Sequence, residues 1–252
     1  MSAKAPVEQN HERVGIEAYN MLKKPILAII PARKGSKRLP NKHVLKINNK
    51  NLIDLTAEQI TDSGLNVRTI MTTDSEQLIK LGEQKNWEAP YIRPAYLSTS
   101  TANTVSVIEH TLKHLKAAEG TLPELLLLLQ LTSPLRTGAI IRKAVNKILK
   151  NQNLDAIVSM RRINIPPANT FVECSNKTSY RPLKANKNLR HFLVPNGAIY
   201  LIRTDIFEKT KTLFPKNTSP LVMNDEESID IDTATDWAQL KAILAEKKRP
   251  VE

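Results

Sequence analysis

Residues 26–42, ILAIIPARKGSKRLPNK, join a short apolar run to a loop that is rich in positive charge. Residues 26–30 are apolar without interruption, which is typical of a strand that is buried on both faces of a sheet. Residues 32–42, called the basic loop below, carry five Lys and Arg side chains. Like charges this close together repel each other unless an anion binds among them. The stretch therefore predicts an α/β fold with an anion site directly after its first strand.

Strand-like and helix-like segments alternate along the rest of the chain. Further strands are predicted at residues 67–73, 124–130, 155–160 and 196–202, and helices at residues 52–64, 74–86, 104–118, 137–150 and 233–248. Gly64 is suited to end the first helix, Asp74 or Ser75 to cap the second, and Thr233 to cap the last. Alternation of this length predicts a mainly parallel sheet with helices on both faces.

Two segments do not follow this alternation. Residues 1–24 are polar without a sustained period and are interpreted as an N-terminal tail, which leaves residues 25–252 as one domain. Residues 161–193 are rich in Pro, Asn, Lys and Arg and read as an insertion into that domain. The insertion is too long for an ordinary connection, so it indicates a surface for a partner chain.

Composition narrows the class of protein. A net charge of +12 favours anionic partners, but aromatic residues make up only 4% of the chain, which disfavours a nucleic-acid groove. The single Cys174 excludes an intramolecular disulfide and favours a reducing, cytoplasmic compartment. We expect no membrane segment, because no apolar run approaches the ~20 residues of a span, and no signal peptide.

The basic loop has the composition of a phosphate site. Gly35 and Ser36 allow backbone N–H groups to turn inward, and the loop's arginines and lysines can contact phosphate oxygens. The spacings of a Walker A loop and of G-x-G-x-x-G are both absent. The alternative is a basic loop that is merely solvated.

A pair of aspartates lies far downstream, in SIDIDT at residues 228–233. Asp230 and Asp232 are two apart, so in an extended backbone both carboxylates project from one face. Mg²⁺ prefers one or two carboxylates together with phosphate oxygens and water. Asp232 could instead cap the last helix. Together with the basic loop, the pair predicts phosphoryl or nucleotidyl transfer.

Five stretches in order resemble the CMP-sialic acid synthetase (acylneuraminate cytidylyltransferase) family. They are IPARKGSKRLPNK, RPAYLSTSTANT, LLQLTSPLRTG, NGAIYL and SIDIDT, within about residues 26–245. The resemblance implies a Rossmann-like nucleotidyltransferase fold. It also implies a reaction of CTP with a nine-carbon 2-keto sugar acid, which gives a CMP-sugar and pyrophosphate.

The resemblance also assigns roles to individual residues. Implied nucleotide-binding residues are Arg33, Gly35, Ser36, Lys37, Asn41, Lys42, Arg93, Ala102, Asn103, Thr104 and Gln130. Implied substrate-binding residues are Gln130, Phe192, Asn196, Tyr200 and Asp230. Asp230 and Asp232 would hold Mg²⁺, with Mn²⁺ as a substitute, and Arg33, Lys42 and Asp232 would be catalytic. A homodimer is implied, in which residues 161–193 reach over the partner's site.

The chain departs from the family pattern mainly on the acceptor side. The residues that depart from the pattern are His43, Tyr96, Ser100, Leu131 and Val194, and the insertion lacks a His-Pro pair. Val194 stands where arginine is frequent. Lys184, Lys187 and Arg190 are candidates for binding the sugar carboxylate. The acceptor could therefore be sialic acid or another nonulosonate such as legionaminate. The alternative from a different functional class is a basic nucleic-acid-binding protein, which the paired aspartates disfavour. We therefore expect neither a nucleic acid nor a membrane as a partner.

Overall fold

The computed structural model describes Tyr19 and residues 22–163, 171–173, 180–182 and 192–247. The strands are β1 (Ile26–Pro31), β2 (Val67–Thr72), β3 (Leu125–Leu128), β4 (Ala156–Ile163), β5 (Phe171–Glu173), β6 (Tyr180–Pro182), β7 (Phe192–Arg203) and β8 (Thr218–Met223). The helices are α1 (Leu52–Asp62), α2 (Glu76–Glu83), α3 (Thr104–Glu119), α4 (Gly138–Lys150), α5 (Thr204–Thr210) and α6 (Ala234–Glu246), with a 3₁₀ turn at Ala95–Leu97.

Six of the described strands form one sheet in the order β2-β1-β3-β7-β4-β8. Neighbouring strands are parallel except at β7, which runs antiparallel to both β3 and β4. Strands β5 and β6 form a separate antiparallel pair. The predicted α/β fold with a mainly parallel sheet is therefore confirmed.

Two apolar clusters cover the two faces of the sheet. One contains Ala28 and Leu127 from the sheet, Ile141 from α4 and Trp237 from α6. The other contains Ile29 and Leu128, which follow Ala28 and Leu127 in the chain, together with residues of α3 and α5. Because successive side chains of a strand point to opposite faces, the unbroken apolar runs of β1 and β3 serve both clusters. Helices on both faces were predicted and are present.

The helix ends follow the predicted local chemistry. Ser75 caps α2, since its side chain accepts from the backbone N–H of Leu78, and Asp74 is left for another role. Thr233 caps α6 in a capping box with Asp236. Gly64 follows the end of α1 with φ of +66°, a conformation that favours glycine.

The segment interpreted as an insertion begins and ends in long strands. Strand β4 runs to Ile163 and β7 starts at Phe192, so both ends extend the main sheet. Cys174, Lys184, Lys187 and Arg190 lie outside the described residues, as does most of the predicted tail. In the parts of the chain that are described, no helix is long and apolar enough to cross a membrane.

Candidate active site

A cleft of about 590 Å³ opens beyond the carboxyl ends of β1 and β3. This is the edge at which open α/β sheets bind ligands. Its walls come from the basic loop, the turn before α3, the end of β3 and the segment before α6. The lining includes Arg33, Gly35, Ser36, Lys37, Arg38, Lys42, His43, Arg93, Thr99, Ala102, Thr104, Gln130, Thr132, Asp230 and Asp232.

Asp232 connects the basic loop to the segment before α6. Its Oδ2 lies 2.5 Å from Nη2 of Arg38, and its Oδ1 lies 2.8 Å from Nζ of Lys42. The same Lys42 ammonium donates to the carbonyl of Ile231 at 3.0 Å. Two motifs about 190 residues apart in the chain therefore meet through charge-assisted hydrogen bonds.

Asp230 and Asp232 differ in their surroundings. Burial raises the pKa of Asp230, and the charge of Asp232 raises it further, while a hydrogen bond from Thr132 lowers it. Both carboxylates line the first cleft. Among the described residues, no three His, Cys, Asp or Glu side chains are grouped to hold a metal by themselves. The pair thus fits Mg²⁺, which takes its other ligands from phosphate and water.

His43 is buried beside three cations of the cleft. Burial lowers the pKa of its imidazole to about 4, and the charges of Lys42, Arg33 and Arg93 act in the same direction. The imidazole is therefore neutral near pH 7. His43 adds bulk and hydrogen-bonding capacity to the cleft without adding charge.

Arg93 is buried in the cleft wall with part of its guanidinium unused. Its Nε donates to Oγ of Ser98 at 3.3 Å, and its Nη2 lies 3.8 Å from Oδ1 of Asp74. Nη2 has no hydrogen-bond partner among the described residues. The Asp74 carboxylate also accepts from the backbone N–H of Lys34 at 2.7 Å. Asp74 therefore lies between the basic loop and Arg93, and Arg93 keeps a donor for a ligand.

A second cleft of about 560 Å³ adjoins the first and shares Gln130 and Asp230 with it. Its walls come from the ends of β4 and β7, the segment after β8 and the first turns of α6. The other lining residues are Arg161, Val194, Pro195, Asn196, Gly197, Tyr200, Asp225, Ser228, Ile229, Asp236 and Gln239.

An irregularity in β7 forms part of the wall of the second cleft. Val158 of β4 lies opposite Tyr200, and Met160 lies opposite Pro195, so residues 196–199 of β7 bulge out of the pairing. Gly197 in this bulge has φ of +79°, and a Cβ there would lie 3.0 Å from Oε1 of Gln130. Glycine therefore allows the Gln130 side chain to reach the junction of the two clefts.

The model of the cytidylyltransferase family matches residues 27–245. This chain belongs to the cytidylyltransferase family. It is 33% identical over 233 residues to N-acylneuraminate cytidylyltransferase of Escherichia coli, covering 89% of this chain but 53% of that protein. The chain thus spans about half the length of this relative.

Other members of the family match over nearly their whole length. CMP-N,N′-diacetyllegionaminic acid synthase of Legionella pneumophila is 31% identical, over 87% of this chain and 96% of the relative. Pseudaminic acid cytidylyltransferase of Campylobacter jejuni is 26% identical, over 83% and 92%. These relatives confirm the resemblance to CMP-sialic acid synthetases and related nonulosonate enzymes.

Solved structures agree on the fold. CMP:2-keto-3-deoxy-manno-octonic acid synthetase complexed with CTP superposes with a TM-score of 0.63, covering 89% of this chain and 100% of that structure. Its sequence identity is 16%, so this likeness concerns the fold alone.

Most residues that the sequence assigned to the cytidylyltransferase site lie in one of the two clefts. Arg33, Gly35, Ser36, Lys37, Lys42, Arg93, Ala102, Thr104, Gln130, Asp230 and Asp232 line the first. Gln130, Asn196, Tyr200 and Asp230 line the second. The Asn196 amide is already engaged, because its Oδ1 accepts from Ser159 and its Nδ2 donates to Ser228. Asn196 therefore supports the β7 bulge as well as lining the cleft.

Three assigned residues do not line either cleft. Asn41 has φ of +56°, and its carbonyl accepts from the N–H groups of Val44 and Leu45, so it shapes the end of the basic loop. The Asn103 side chain caps α3 by accepting from Val105. Phe192 starts β7 opposite Ile163. For these residues the structure shows a role in the backbone frame, and the assigned ligand contact stays a prediction.

The sequence analysis did not identify Asp74 and Arg136 as residues of the site. Asp74 directly follows β2, so its place at the carboxyl edge of the sheet was a usable signal. Arg136 is fully buried, and its Nη1 donates to the carbonyls of Gln130 at 3.2 Å and Ala198 at 2.6 Å. It fixes the backbone of Gln130 against β7. No local pattern identifies such a role, because it depends on the antiparallel position of β7.

Proposed function

We propose that the chain transfers CMP from CTP to the anomeric hydroxyl of a nine-carbon 2-keto sugar acid, giving a CMP-sugar and pyrophosphate. The observation that carries this proposal is the pair of adjoining clefts, one cationic and one mixed, that meet at Gln130 and Asp230. A reaction that joins a nucleotide to a sugar needs such a junction, where the attacking oxygen can approach the α-phosphorus. The names of the relatives support the same class of substrates.

The first cleft would bind the nucleotide. Arg33, Lys37 and Lys42 would hold the β- and γ-phosphates, because they line the cleft and supply positive charge along the basic loop. Arg93, with its unused Nη2, and the turn at residues 102–104 would hold the cytidine. This arrangement leaves the α-phosphate at the Gln130 end of the cleft.

The transfer itself would be an in-line displacement. The anomeric oxygen forms a bond to the α-phosphorus as the bond to the pyrophosphate oxygen breaks, so the protein's contribution is positioning and charge neutralisation. Asp230 and Asp232 would hold Mg²⁺, or Mn²⁺ in its place. When bound there, the ion would offset charge on the α-phosphate and promote loss of the hydroxyl proton. Gln130 would orient the two reacting groups, and Lys42, which pairs with Asp232 in the structure, would turn to the pyrophosphate.

Pyrophosphate release tests the nucleotide and the acceptor together. We expect release with CTP and one or more of N-acetylneuraminate, legionaminate and pseudaminate, and no release when ATP or GTP replaces CTP. Equal release from all the nucleotides, or none with any acid, would contradict the proposal.

Legionaminate is the second candidate acceptor. The observation in its favour is the 31% identity to CMP-N,N′-diacetyllegionaminic acid synthase, which is close to the 33% identity to the sialic acid relative. The largest kcat/KM in the same acid panel decides between the candidates. The nucleic-acid alternative is not favoured, since the family match and the paired aspartates both belong to nucleotidyl transfer.

We further propose a homodimer. The support is a pair of exposed apolar side chains, Leu193 and Val222, at the ends of β7 and β8 where residues 161–193 leave the sheet. The cytoplasmic location stays a prediction from the single cysteine.

A further inference from the structure

The second cleft has an uneven distribution of charge. Among the described residues that line it, Asp225, Asp230 and Asp236 are acidic, and Arg161 is the one Lys or Arg. The proposed acceptor is itself an anion, with a carboxylate next to its anomeric carbon. Such an acceptor would be repelled by this cleft unless a cation receives its carboxylate.

Arg161 lies near the end of β4, where the cleft opens. It pairs with Val194 of β7 on one side and Met223 of β8 on the other. Pairing of β4 with β8 is regular from Ala156 to Arg161, so alternation places Arg161 on one face of the sheet and Arg162 on the other. Of these two exposed arginines, only Arg161 lines the cleft.

The guanidinium of Arg161 makes no hydrogen bond or ion pair with any other residue that the structure describes, although acidic side chains line the same cleft. Its partner across the strand, Val194, is apolar and cannot take the same role. An arginine that is exposed in a substrate-sized cleft, with no partner among the described residues, has its planar array of donors available for a ligand.

We infer that Arg161 binds the carboxylate of the sugar acid through a bidentate ion pair. This inference rests on the proposed function and adds the residue that selects for an acid. Because the carboxylate and the reacting hydroxyl are both bonded to the anomeric carbon, an acid bound in this way would direct its carboxylate toward Arg161 and its hydroxyl toward the junction at Gln130 and Asp230. Strand β4 is held on both sides by other strands, so the position of Arg161 is fixed by the sheet.

The test compares Arg161→Gln and Arg161→Lys with Arg162→Gln, the neighbouring arginine on the opposite face. For Arg161→Gln, kcat/KM for the best acid should fall roughly 30-fold or more, the effect of removing one partner of a close charge pair. The KM for CTP should stay within about twofold, because Arg161 does not line the nucleotide cleft. Arg161→Lys should recover part of the loss, since lysine keeps the charge but not the bidentate geometry. Arg162→Gln should behave as wild type.

A substrate analogue makes the test specific. The carboxamide of the same acid removes the negative charge, so it should be a poor acceptor for the wild type and no worse for Arg161→Gln. Sedimentation and thermal melting of every variant establish that assembly and folding are unchanged.

The outcomes separate this inference from the proposed function. A wild type that releases no pyrophosphate with any acid overturns both. Normal wild-type turnover with an unchanged Arg161→Gln overturns the inference alone and assigns the carboxylate to Lys184, Lys187 or Arg190. Equal losses in Arg161→Gln and Arg162→Gln, or a loss in Arg161→Gln that is equally large with the carboxamide, also overturn it.

Discussion

At the scale of single residues, Asp232 has the most specific environment. Its side chain is about one-third exposed, and its two carboxylate oxygens accept hydrogen bonds from Arg38 and Lys42. Its backbone N–H donates to the carboxylate of Asp236 at 2.9 Å. The carboxylate is thus held in place by groups from the basic loop and from α6. Its partners are polar and solvent can reach it, so its contribution to folding is modest and its contribution to the reaction should be large.

Asp232→Asn should separate these two contributions. Asparagine keeps the shape but removes the charge that would hold a divalent ion, so turnover should fall roughly 100-fold or more. The melting temperature should change little. Pyrophosphate release at saturating Mg²⁺ and thermal melting measure both quantities.

Asp205→Asn is a matched control for this change. Asp205 lies on α5, is 63% exposed and pairs with Lys209 one turn away. Its substitution should leave turnover and melting unchanged. Near-normal turnover of Asp232→Asn at saturating Mg²⁺ would show that the metal assignment is wrong.

His43 gives the fold a specific dependence on pH. Its pKa is about 4 in the folded chain against 6.5 ordinarily, so between these values the unfolded chain binds a proton that the folded chain does not. Stability is therefore full above about pH 6.5 and falls as the pH is lowered toward 4, by up to about 3 kcal/mol from this residue.

Chemical unfolding of the wild type and of His43→Gln at pH 7 and pH 5 measures this effect. Other titrating groups contribute equally to both proteins, so the difference between the two pH responses isolates His43. The wild type should lose more stability than the variant on acidification. Parallel losses would mean that the imidazole is not kept neutral by its surroundings.

At the scale of elements, the bulge of β7 determines how the two clefts meet. Residues 196–199 leave the pairing with β4, and the amide of Asn196 holds them through Ser159 and Ser228. Gly197 is needed twice, for its positive φ and for the close approach of Gln130. These two requirements can be separated by experiment.

Gly197→Ala and Gly120→Ala form a matched pair. Both glycines have φ near +75°, at +79° and +73°, but a Cβ on Gly120 would meet nothing within 4 Å. Both variants should lose about 1–2 kcal/mol of stability through backbone strain. Gly197→Ala alone should also lose kcat/KM, roughly tenfold or more, because Gln130 is displaced. Equal activity of the two variants would contradict the proposed role of Gln130 in the reaction.

The elements also show what the sequence could predict. Strands β1 to β4 and the longer helices have clear periods and caps, and all were predicted. Helix α5 was missed because its seven residues are too few for a period, and β8 because Pro220 interrupts its pattern at the sheet edge. The direction of β7 was not predictable either, since an apolar run has the same pattern in both orientations.

For the site, too, the sequence could predict the local motifs but not how they come together in the fold. The basic loop and the aspartate pair could be located from local composition, and their roles from the resemblance. Their contact through Asp232 joins residues about 190 positions apart and depends on the order of the strands. Arg161 was read as the start of an insertion, because only its register with Val194 shows that it belongs to a cleft wall.

At the scale of the whole molecule, exposed apolar side chains lie where the sheet gives way to the inserted segment. Leu193 lies opposite Arg162 and Val222 opposite Met160, so alternation puts both exposed side chains on the same face of the sheet. Apolar side chains gathered at one sheet end are typical of an interface with another chain.

Sedimentation velocity tests the proposed homodimer. The wild type should sediment as a dimer, and Leu193→Asp combined with Val222→Asp should shift it toward the monomer, because burying two charges in an interface is unfavourable. Ile92→Asp changes another exposed apolar residue, which is remote from this sheet end, and should stay dimeric. A wild type that is monomeric and fully active would contradict the proposal.

The contacts of Asp232 have a consequence for the kinetic scheme. In the structure its oxygens accept hydrogen bonds from Arg38 and Lys42, cations of the cleft that would receive the triphosphate. A nucleotide that draws these cations to its phosphates releases the carboxylate at the junction where the acceptor must be activated. The site is therefore completed by its first substrate, which favours compulsory-order addition with CTP leading. After the transfer, the CMP-sugar would leave first and pyrophosphate last, as the two cations return to Asp232.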